Sequence, residues 1–416
     1  MTPGTPVIRY EHETLLIDQD GFTQHHWELL GRYNQKNGNR FFDIMTKGIK
    51  FKGYVGVIQV RNLTIEILPK IDNSPGDKRE WQANLLEMLQ ECRWLKAHAP
   101  EKATLHLKHT NILEAYLSIF MDGCERLLRM GLTKKYRRVE SNLPVMKGKL
   151  MFNHHIRHNL VHQERFYTAH TIYDREHIFN QILYKALQTI SALQVSSTIR
   201  DQISRLLFEF PEMNDIRITT DTFNHLSFDH KTVHYKETID IAAMILLHFT
   251  PDIRGGTDHV FSLLFNMNRL WEEYFYRRLK KSLPEYWSIK KQPKRELWSN
   301  KDHTDQLLPD VVLMTEEKRP VIIDTKWKKP VLDKPASADL KQIFTYTEYW
   351  NADTGILLYP NSVSDQPLYW IDGMYAKTKS KCVVSKLSVL DEKGCLNRNF
   401  TNPLTEKLKA IAGEKI

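Results

Sequence analysis

The chain has 416 residues, more than one hydrophobic core usually organises, so two or three domains are expected. With 41% hydrophobic and 26% charged residues and no long Gly/Ser, Gln/Asn or Pro tract, the composition excludes a disordered or fibrous chain. A formal net charge of +9, from 59 Lys and Arg against 50 Asp and Glu, favours a polyanionic partner without identifying one.

In chain order, Val7 to Asp20 carries Glu and Asp where a signal peptide would have a basic segment and an apolar run. The longest apolar stretch, Ile241 to Phe249, is too short to span a bilayer, so a cytoplasmic protein with no membrane partner is expected. Phe51 to Lys70 is rich in β-branched residues, with Leu63, Ile65 and Ile67 alternating against their neighbours and Arg61-Asn62 at the place of a tight turn. It reads as a β-hairpin. Pro69 and the following IDNSPGD read as a loop, and Trp81 to Leu95 returns to helical spacing through Leu85, Leu86, Met88 and Leu89. Residues 1–77 are therefore expected to form a β-rich N-terminal domain.

Residues 78–250 read as a mainly helical middle region, because Ile112 to Met130, Arg175 to Leu193 and Thr238 to Phe249 all carry apolar residues at three- and four-residue spacing. Among these helices lies a run dense in Lys, Arg and His, from Lys134, Lys135, Arg137 and Arg138 through Lys147 and Lys149 to His154, His155, Arg157 and His158. Such a run either tracks a phosphate backbone or is a solvated face, and charge runs are more often the latter.

Residues 251–416 change character. A loop from Pro251 to Asp258, with Gly255-Gly256, precedes an amphipathic helix expected from Val260 to about Lys281. Short apolar runs at Leu308 to Met314, Pro320 to Trp327 and Gly355 to Tyr359 read as strands, with a helix from Ala338 to Trp350 before the last. Helix, strand, strand, helix, strand outlines a mixed α/β core, and the whole chain is expected to be an α+β multi-domain protein.

The chemistry lies in this last region. LLPDVVLM is followed, after an EEKR turn, by VIIDTKWK, so Pro309-Asp310 enters one strand and Asp324-Thr325-Lys326 ends the next. If these strands pair as a hairpin, Asp310 and Asp324 meet at one edge, with Lys326 on the face of Asp324 because side chains two apart on a strand share a face. Two carboxylates and an amine suit phosphodiester hydrolysis: hard oxygens bind Mg²⁺, the metal polarises the phosphate and acidifies a water, and the ammonium orients the nucleophile or stabilises developing charge. A salt-bridged hairpin edge is the plainer alternative for the same residues.

This arrangement resembles the PD-(D/E)xK nuclease motif. Glu272, on the helix expected from Val260, stands where the first helix of that fold often presents a carboxylate to the metal. Gln342-Ile343-Phe344-Thr345-Tyr346 matches a Q-x-x-x-Y pattern that resembles an accessory motif of RecB-like nucleases, with Gln and Tyr one helical turn apart. Each has a plain alternative, a solvated Glu and an ordinary amphipathic helix.

Six blocks in order, FKGYVGVIQVRNLTIEILPKID, FSLLFNMNRLWEEYF, LLPDVVL, VIIDTKWK, ADLKQIFTYTEYW and GILLYP, resemble the signature blocks of the McrC family, the nuclease subunit of McrBC-type restriction systems. Small departures occur: Trp271 and Trp327 stand where Phe and Tyr are expected, and Thr325 where Ala is commoner. The resemblance implies a Mg²⁺-dependent endonuclease of double-stranded, modified DNA, with Glu272, Asp310 and Asp324 as metal ligands, the Thr325 carbonyl as a further ligand, Lys326 acting on the attacking water and Gln342 placing the phosphate or the lysine. It also implies a partner, an McrB-like AAA+ hexamer that hydrolyses GTP, with the N-terminal part contacting that motor. Self-association of nuclease domains is expected too, since a double-strand cut needs two sites. No G-x-x-x-x-G-K-[ST] loop occurs in the chain, so nucleotide hydrolysis would be supplied in trans.

Two other readings remain. One is a non-catalytic assembly and activation factor for an AAA+ motor, against which the intact Asp310, Asp324 and Lys326 stand. The other is a free-standing RecB-like repair nuclease, whose iron–sulfur members need four cysteines; Cys92, Cys124, Cys382 and Cys395 are too widely spaced and read as free thiols.

Overall fold

The computed structural model describes residues 6–71, 78–95, 111–250, 259–315, 320–328, 334–361, 368–376, 378 and 380–412. The expected loops over 72–77 and 251–258 and the EEKR turn at 316–319 lie outside the described residues. The chain gathers into two compact units, one of Met1–Ile112 with Ser262–Ile416 and one of Leu113–Phe261. This grouping differs from the three consecutive segments read from the sequence, because the strand Val260–Asn266 carries the chain back to the N-terminal sheet.

In the first unit, the Phe51 to Lys70 hairpin forms as expected. Strands Tyr54–Val60 and Leu63–Leu68 pair antiparallel, with Val60 opposite Leu63, and Arg61 takes the left-handed φ of +52° that a two-residue turn requires. Val7–Tyr10 adds in parallel beside Leu63–Leu68, and the strand Val260–Asn266 lies on the far side of Tyr54–Val60. Gly56, at φ +130°, sits against the Leu263 carbonyl where any Cβ would collide. A second, three-stranded sheet of Thr14–Leu16, Gly48–Phe51 and Phe42–Met45 accompanies the helix Gln24–Lys36, which Thr23 caps.

The strand Val260–Asn266 corrects the helix expected from Val260 to Lys281. The helix spans Met267–Ser282 only, and it starts there because the Asn266 side chain accepts the Arg269 N–H at 3.1 Å. Val260, Leu263, Leu264 and Met267 fall at helical spacing, yet pairing in the sheet takes the first seven residues as a strand. Glu272 stays on the helix.

The C-terminal part of this unit carries a six-stranded mixed sheet in the order Ser288–Lys291, Val311–Met314, Pro320–Thr325, Thr354–Asn361, Lys381–Ser388 and Leu368–Met374. The expected order of strand, strand, helix and strand is present at its centre: Val311–Met314 runs antiparallel to Pro320–Thr325, which runs parallel to Thr354–Asn361. The helix Ser337–Trp350 lies between the last two in sequence and ends at Asn351 in a left-handed cap. It packs Ile343, Tyr346 and Trp350 with Val312, Ile322, Leu357 and Tyr359 of the sheet into one core. Gly355 permits this approach, since a Cβ there would lie 2.5 Å from Ile343 Cγ2 and 2.9 Å from Thr347 Cγ2.

The second unit contains the expected helices, among them Ile112–Met130, Ile178–Ser191 and Lys236–Leu247. It is not all helical. The basic run folds largely as strands Lys135–Leu143 and Lys149–Leu150 against Phe166–Asp174, with a short helix Phe152–Asn159. Helices still make up most of the regular structure of this region; the small sheet within it went unread because the charged and polar side chains along its strands leave little apolar face. Among the described residues all four cysteines are free, and no helix is long and apolar enough to cross a membrane.

Candidate active site

The pairing of Val311 with Ile323, carried one step further, sets Asp310 opposite Asp324 at the end of two antiparallel strands. Both carboxylates are withdrawn from solvent, at 9% and 2% exposure. Asp310 Oδ2 accepts the Thr325 N–H at 2.7 Å and the Thr325 hydroxyl at 2.9 Å. An extended residue carries its N–H and C=O on the same strand edge, so the Thr325 carbonyl also faces Asp310.

Lys326, two residues from Asp324 and on its face, brings Nζ to 2.5 Å from Asp324 Oδ2. This is a close ion pair rather than an aligned hydrogen bond, because among the described residues Oδ2 has no partner in hydrogen-bond geometry while the two charges are in contact. The ammonium also donates to Gln342 Oε1 at 2.8 Å, and Gln342 Nε2 donates to the Tyr346 hydroxyl at 2.8 Å, which in turn reaches the Leu308 carbonyl at 3.3 Å. Gln342 and Tyr346 are one turn apart on the helix Ser337–Trp350, so the sheet-facing side of that helix carries the restraint on the lysine.

Glu272 is half-buried, and its Oε2 accepts from Gln292 Nε2 at 3.0 Å. The neighbouring Glu273 is neutralised by Arg277 and Lys291, which leaves Glu272 as the acid of this helix whose charge acts on the pair. Gln292 also donates its backbone N–H to the Asp310 carbonyl at 3.0 Å, tying the strand Ser288–Lys291 to the same corner.

The electrostatics follow from this crowding. Burial first, then the charges of Asp324 and Glu272, push the Asp310 carboxyl up to about 8 against the Thr325 hydrogen bonds. Burial also raises Asp324, opposed by Lys326, and burial with Asp324 raises Glu272. Burial disfavours the Lys326 ammonium, but Asp324 and Asp310 outweigh it and hold its pKa above the usual lysine value. Lys326 is thus a fixed cation in a corner with an excess of acid.

Sequence reasoning missed three residues here. Besides Gln292 they are Lys328 and Asp339, which pair at 2.6 Å, with the Tyr359 hydroxyl donating to Asp339 at 3.2 Å. Asp339 lies one turn before Gln342 and Lys328 two residues beyond Lys326, the only signals that could have found them.

Among the described residues no three His, Cys, Asp or Glu side chains stand together as a metal cluster. The structure brings Asp310 and Asp324 together and leaves the Glu272 carboxylate on Gln292. Two carboxylates and a main-chain carbonyl are hard oxygen donors, and Mg²⁺ typically uses one or two protein carboxylates with water filling the rest. The donor set therefore fits Mg²⁺, and the uncompensated acid is what a cation would neutralise.

Comparison with known families decides the relationship. Residues 49–360 match the family described as the McrBC 5-methylcytosine restriction system component. The chain belongs to this family. The match spans both the N-terminal hairpin and the candidate site of this McrBC-family protein. Its fold is shared with a chain of the refined half-complex from the tetradecameric assembly of Thermococcus gammatolerans McrB AAA+ hexamers with bound McrC, at TM-score 0.73 and 18% identity over 98% of this chain and 100% of that one. It is similar, too, to a chain of the cryo-EM structure of the Thermococcus gammatolerans McrBC complex, at TM-score 0.52 and 19% identity over 68% of this chain and 89% of that one. No curated protein matches the chain.

Proposed function

We propose that this McrBC-family chain is the Mg²⁺-dependent endonuclease subunit of its restriction system, the counterpart of McrC, and that its C-terminal region, read from the sequence as 251–416, carries a PD-(D/E)xK core. The observation that carries this reading is the corner where Asp310 and Asp324 oppose one another while Lys326 lies 2.5 Å from Asp324 and is held by Gln342. A merely structural salt bridge needs one acid for one base, whereas here burial and like charge raise the pKa of both aspartates.

Asp310, Asp324 and the Thr325 carbonyl would hold the metal, with Glu272 joining when it leaves Gln292. Bound there, Mg²⁺ would polarise the scissile phosphate and acidify a water. Lys326, held cationic, orients the attacking water and stabilises charge on the phosphate, and Gln342 fixes the lysine between Asp324 and the helix. The substrate in this reading is double-stranded DNA carrying modified cytosine, as the family description supports.

The partner is an McrB-like AAA+ GTPase hexamer, since the matched fold comes from such an assembly. GTP is used by that partner, and two nuclease domains associate to cut both strands. The test is cleavage of methylated plasmid by the chain together with its AAA+ partner, GTP and Mg²⁺. Loss of cutting in Asp324→Ala with GTP hydrolysis retained supports the reading; undiminished cutting in that variant rejects it.

A further inference from the structure

Beside the site, the chain makes a contact that the proposed chemistry does not use. Lys326 and Trp327 turn to opposite faces at the end of the strand Pro320–Thr325. Lys326 goes to Asp324 and Gln342, whereas Trp327 Nε1 donates to Glu11 Oε1 at 2.5 Å. The Trp327 ring also meets Trp271, centroid to centroid at 5.4 Å, and Trp271 immediately precedes Glu272.

Glu11 directly follows the strand Val7–Tyr10 of the N-terminal sheet and is no part of the nuclease strands. Its own N–H donates to the Leu68 carbonyl at 3.0 Å, and Oε1, the atom that takes the indole, also accepts the Lys70 N–H at 3.0 Å. Only 2% of Glu11 is exposed, and among the described residues Oε2 has no hydrogen bond; His12 Nε2 lies 3.8 Å from it, but burial and the Lys50 charge lower that imidazole's pKa and disfavour its cationic form. A buried acid with so little charge compensation is costly to retain for packing alone, since an apolar residue of the same size would fill the space.

We propose that Glu11 is a positioning residue for Lys326: by gripping Trp327 it fixes the strand end from which the lysine reaches Asp324. The N-terminal sheet and the nuclease corner then act as one rigid piece, with one carboxylate oxygen of Glu11 bonding both the Lys70 N–H and the Trp327 indole. The inference rests on the endonuclease reading above.

The test uses the full chain with its AAA+ partner, GTP, Mg²⁺ and methylated plasmid, under single-turnover conditions over a range of DNA concentrations. Glu11→Leu removes the acceptor, Trp327→Phe removes the donor but keeps a ring against Trp271, and Glu11→Gln keeps an acceptor. The expected result is that Glu11→Leu and Trp327→Phe each lower the rate constant at saturating DNA about tenfold, with the half-saturating DNA concentration unchanged. The double variant is no slower than either single one, because both remove the same bond. Glu11→Gln stays within about twofold of the parent chain.

Parent-like cutting by Trp327→Phe, a Glu11→Gln as slow as Glu11→Leu, or losses that multiply in the double variant each overturn the proposal. Should Glu11→Leu not fold, Trp327→Phe and Glu11→Gln decide the matter alone. Cutting that survives in Asp324→Ala instead rejects the endonuclease reading itself, and the positioning role with it.

Discussion

Gln342 holds the Lys326 ammonium through its side-chain oxygen at 2.8 Å while its amide donates to the Tyr346 hydroxyl, also at 2.8 Å. The lysine is therefore restrained by a neutral group on a helix as well as by Asp324 on its own strand. Gln342→Ala is expected to slow DNA cleavage about tenfold and Tyr346→Phe about threefold, because each loosens the lysine without removing it. Lys326→Ala is expected to slow it by roughly 10² to 10³. Single-turnover rates of the four proteins check this order, and a Gln342→Ala as fast as the parent contradicts it.

Metal binding at Asp310 is expected to be proton-linked. The carboxyl sits at about 8, so at neutral pH a cation must displace its proton. Mg²⁺ should bind more tightly as pH rises from 6 to about 8, and the rise in melting temperature that millimolar Mg²⁺ produces should grow with it. Asp310→Asn should show neither the pH dependence nor cleavage. Thermal melts with Mg²⁺ and with chelator at several pH values measure this directly.

Glu11 predicts a slope in stability itself. Burial raises its carboxyl from 4.5 to about 7 in the folded chain. The folded state therefore keeps a proton that the unfolded chain releases, and stability falls as pH rises between these two values. Glu11→Gln cannot ionise and should flatten that slope, becoming the more stable protein above pH 7 by on the order of 2–3 kcal/mol. Denaturant melts at pH 5 and pH 8 distinguish the outcomes; equal slopes in the two proteins count against a buried, protonated Glu11.

Gly355→Ala tests how the helix Ser337–Trp350 is seated. The added methyl would meet Ile343 and Thr347 at 2.5 and 2.9 Å, and a tightly packed helix and sheet must separate to admit it. A loss of about 1–3 kcal/mol is expected. Because Gln342 rides on that helix, cleavage should fall even under conditions where the variant remains folded. Unfolding midpoints and rates measured on the same preparation separate the two effects.

Much of this was legible in the sequence, for physical reasons that also mark the limit. The hairpin across Arg61-Asn62 and the helix Ile112–Met130 announce themselves because their residues satisfy one another locally. Asp310, Asp324 and Lys326 were readable because two adjacent strands place them, and a hairpin fixes its own register. Val260–Asn266 was not, since its apolar spacing suits a helix equally well and only pairing with a strand two hundred residues earlier decides the matter. The edge strand Ser288–Lys291, short and mostly exposed, left no apolar pattern to follow. Glu11 escaped because its partners Lys70 and Trp327 come from distant parts of the chain, and Gln292 and Asp339 because their partners lie on neighbouring elements rather than within one periodic run.

The N-terminal sheet is completed by the strand Val260–Asn266, which begins at the end of the second unit and runs back into the first. During synthesis, the strands Tyr54–Val60 and Leu63–Leu68 emerge from the ribosome long before Val260–Asn266 and must wait with an open edge. A truncation that begins at residue 251 would likewise strip Trp327 of its acceptor and the strand Val260–Asn266 of its neighbour Tyr54–Val60. The C-terminal portion is thus a poor candidate for expression as a fragment.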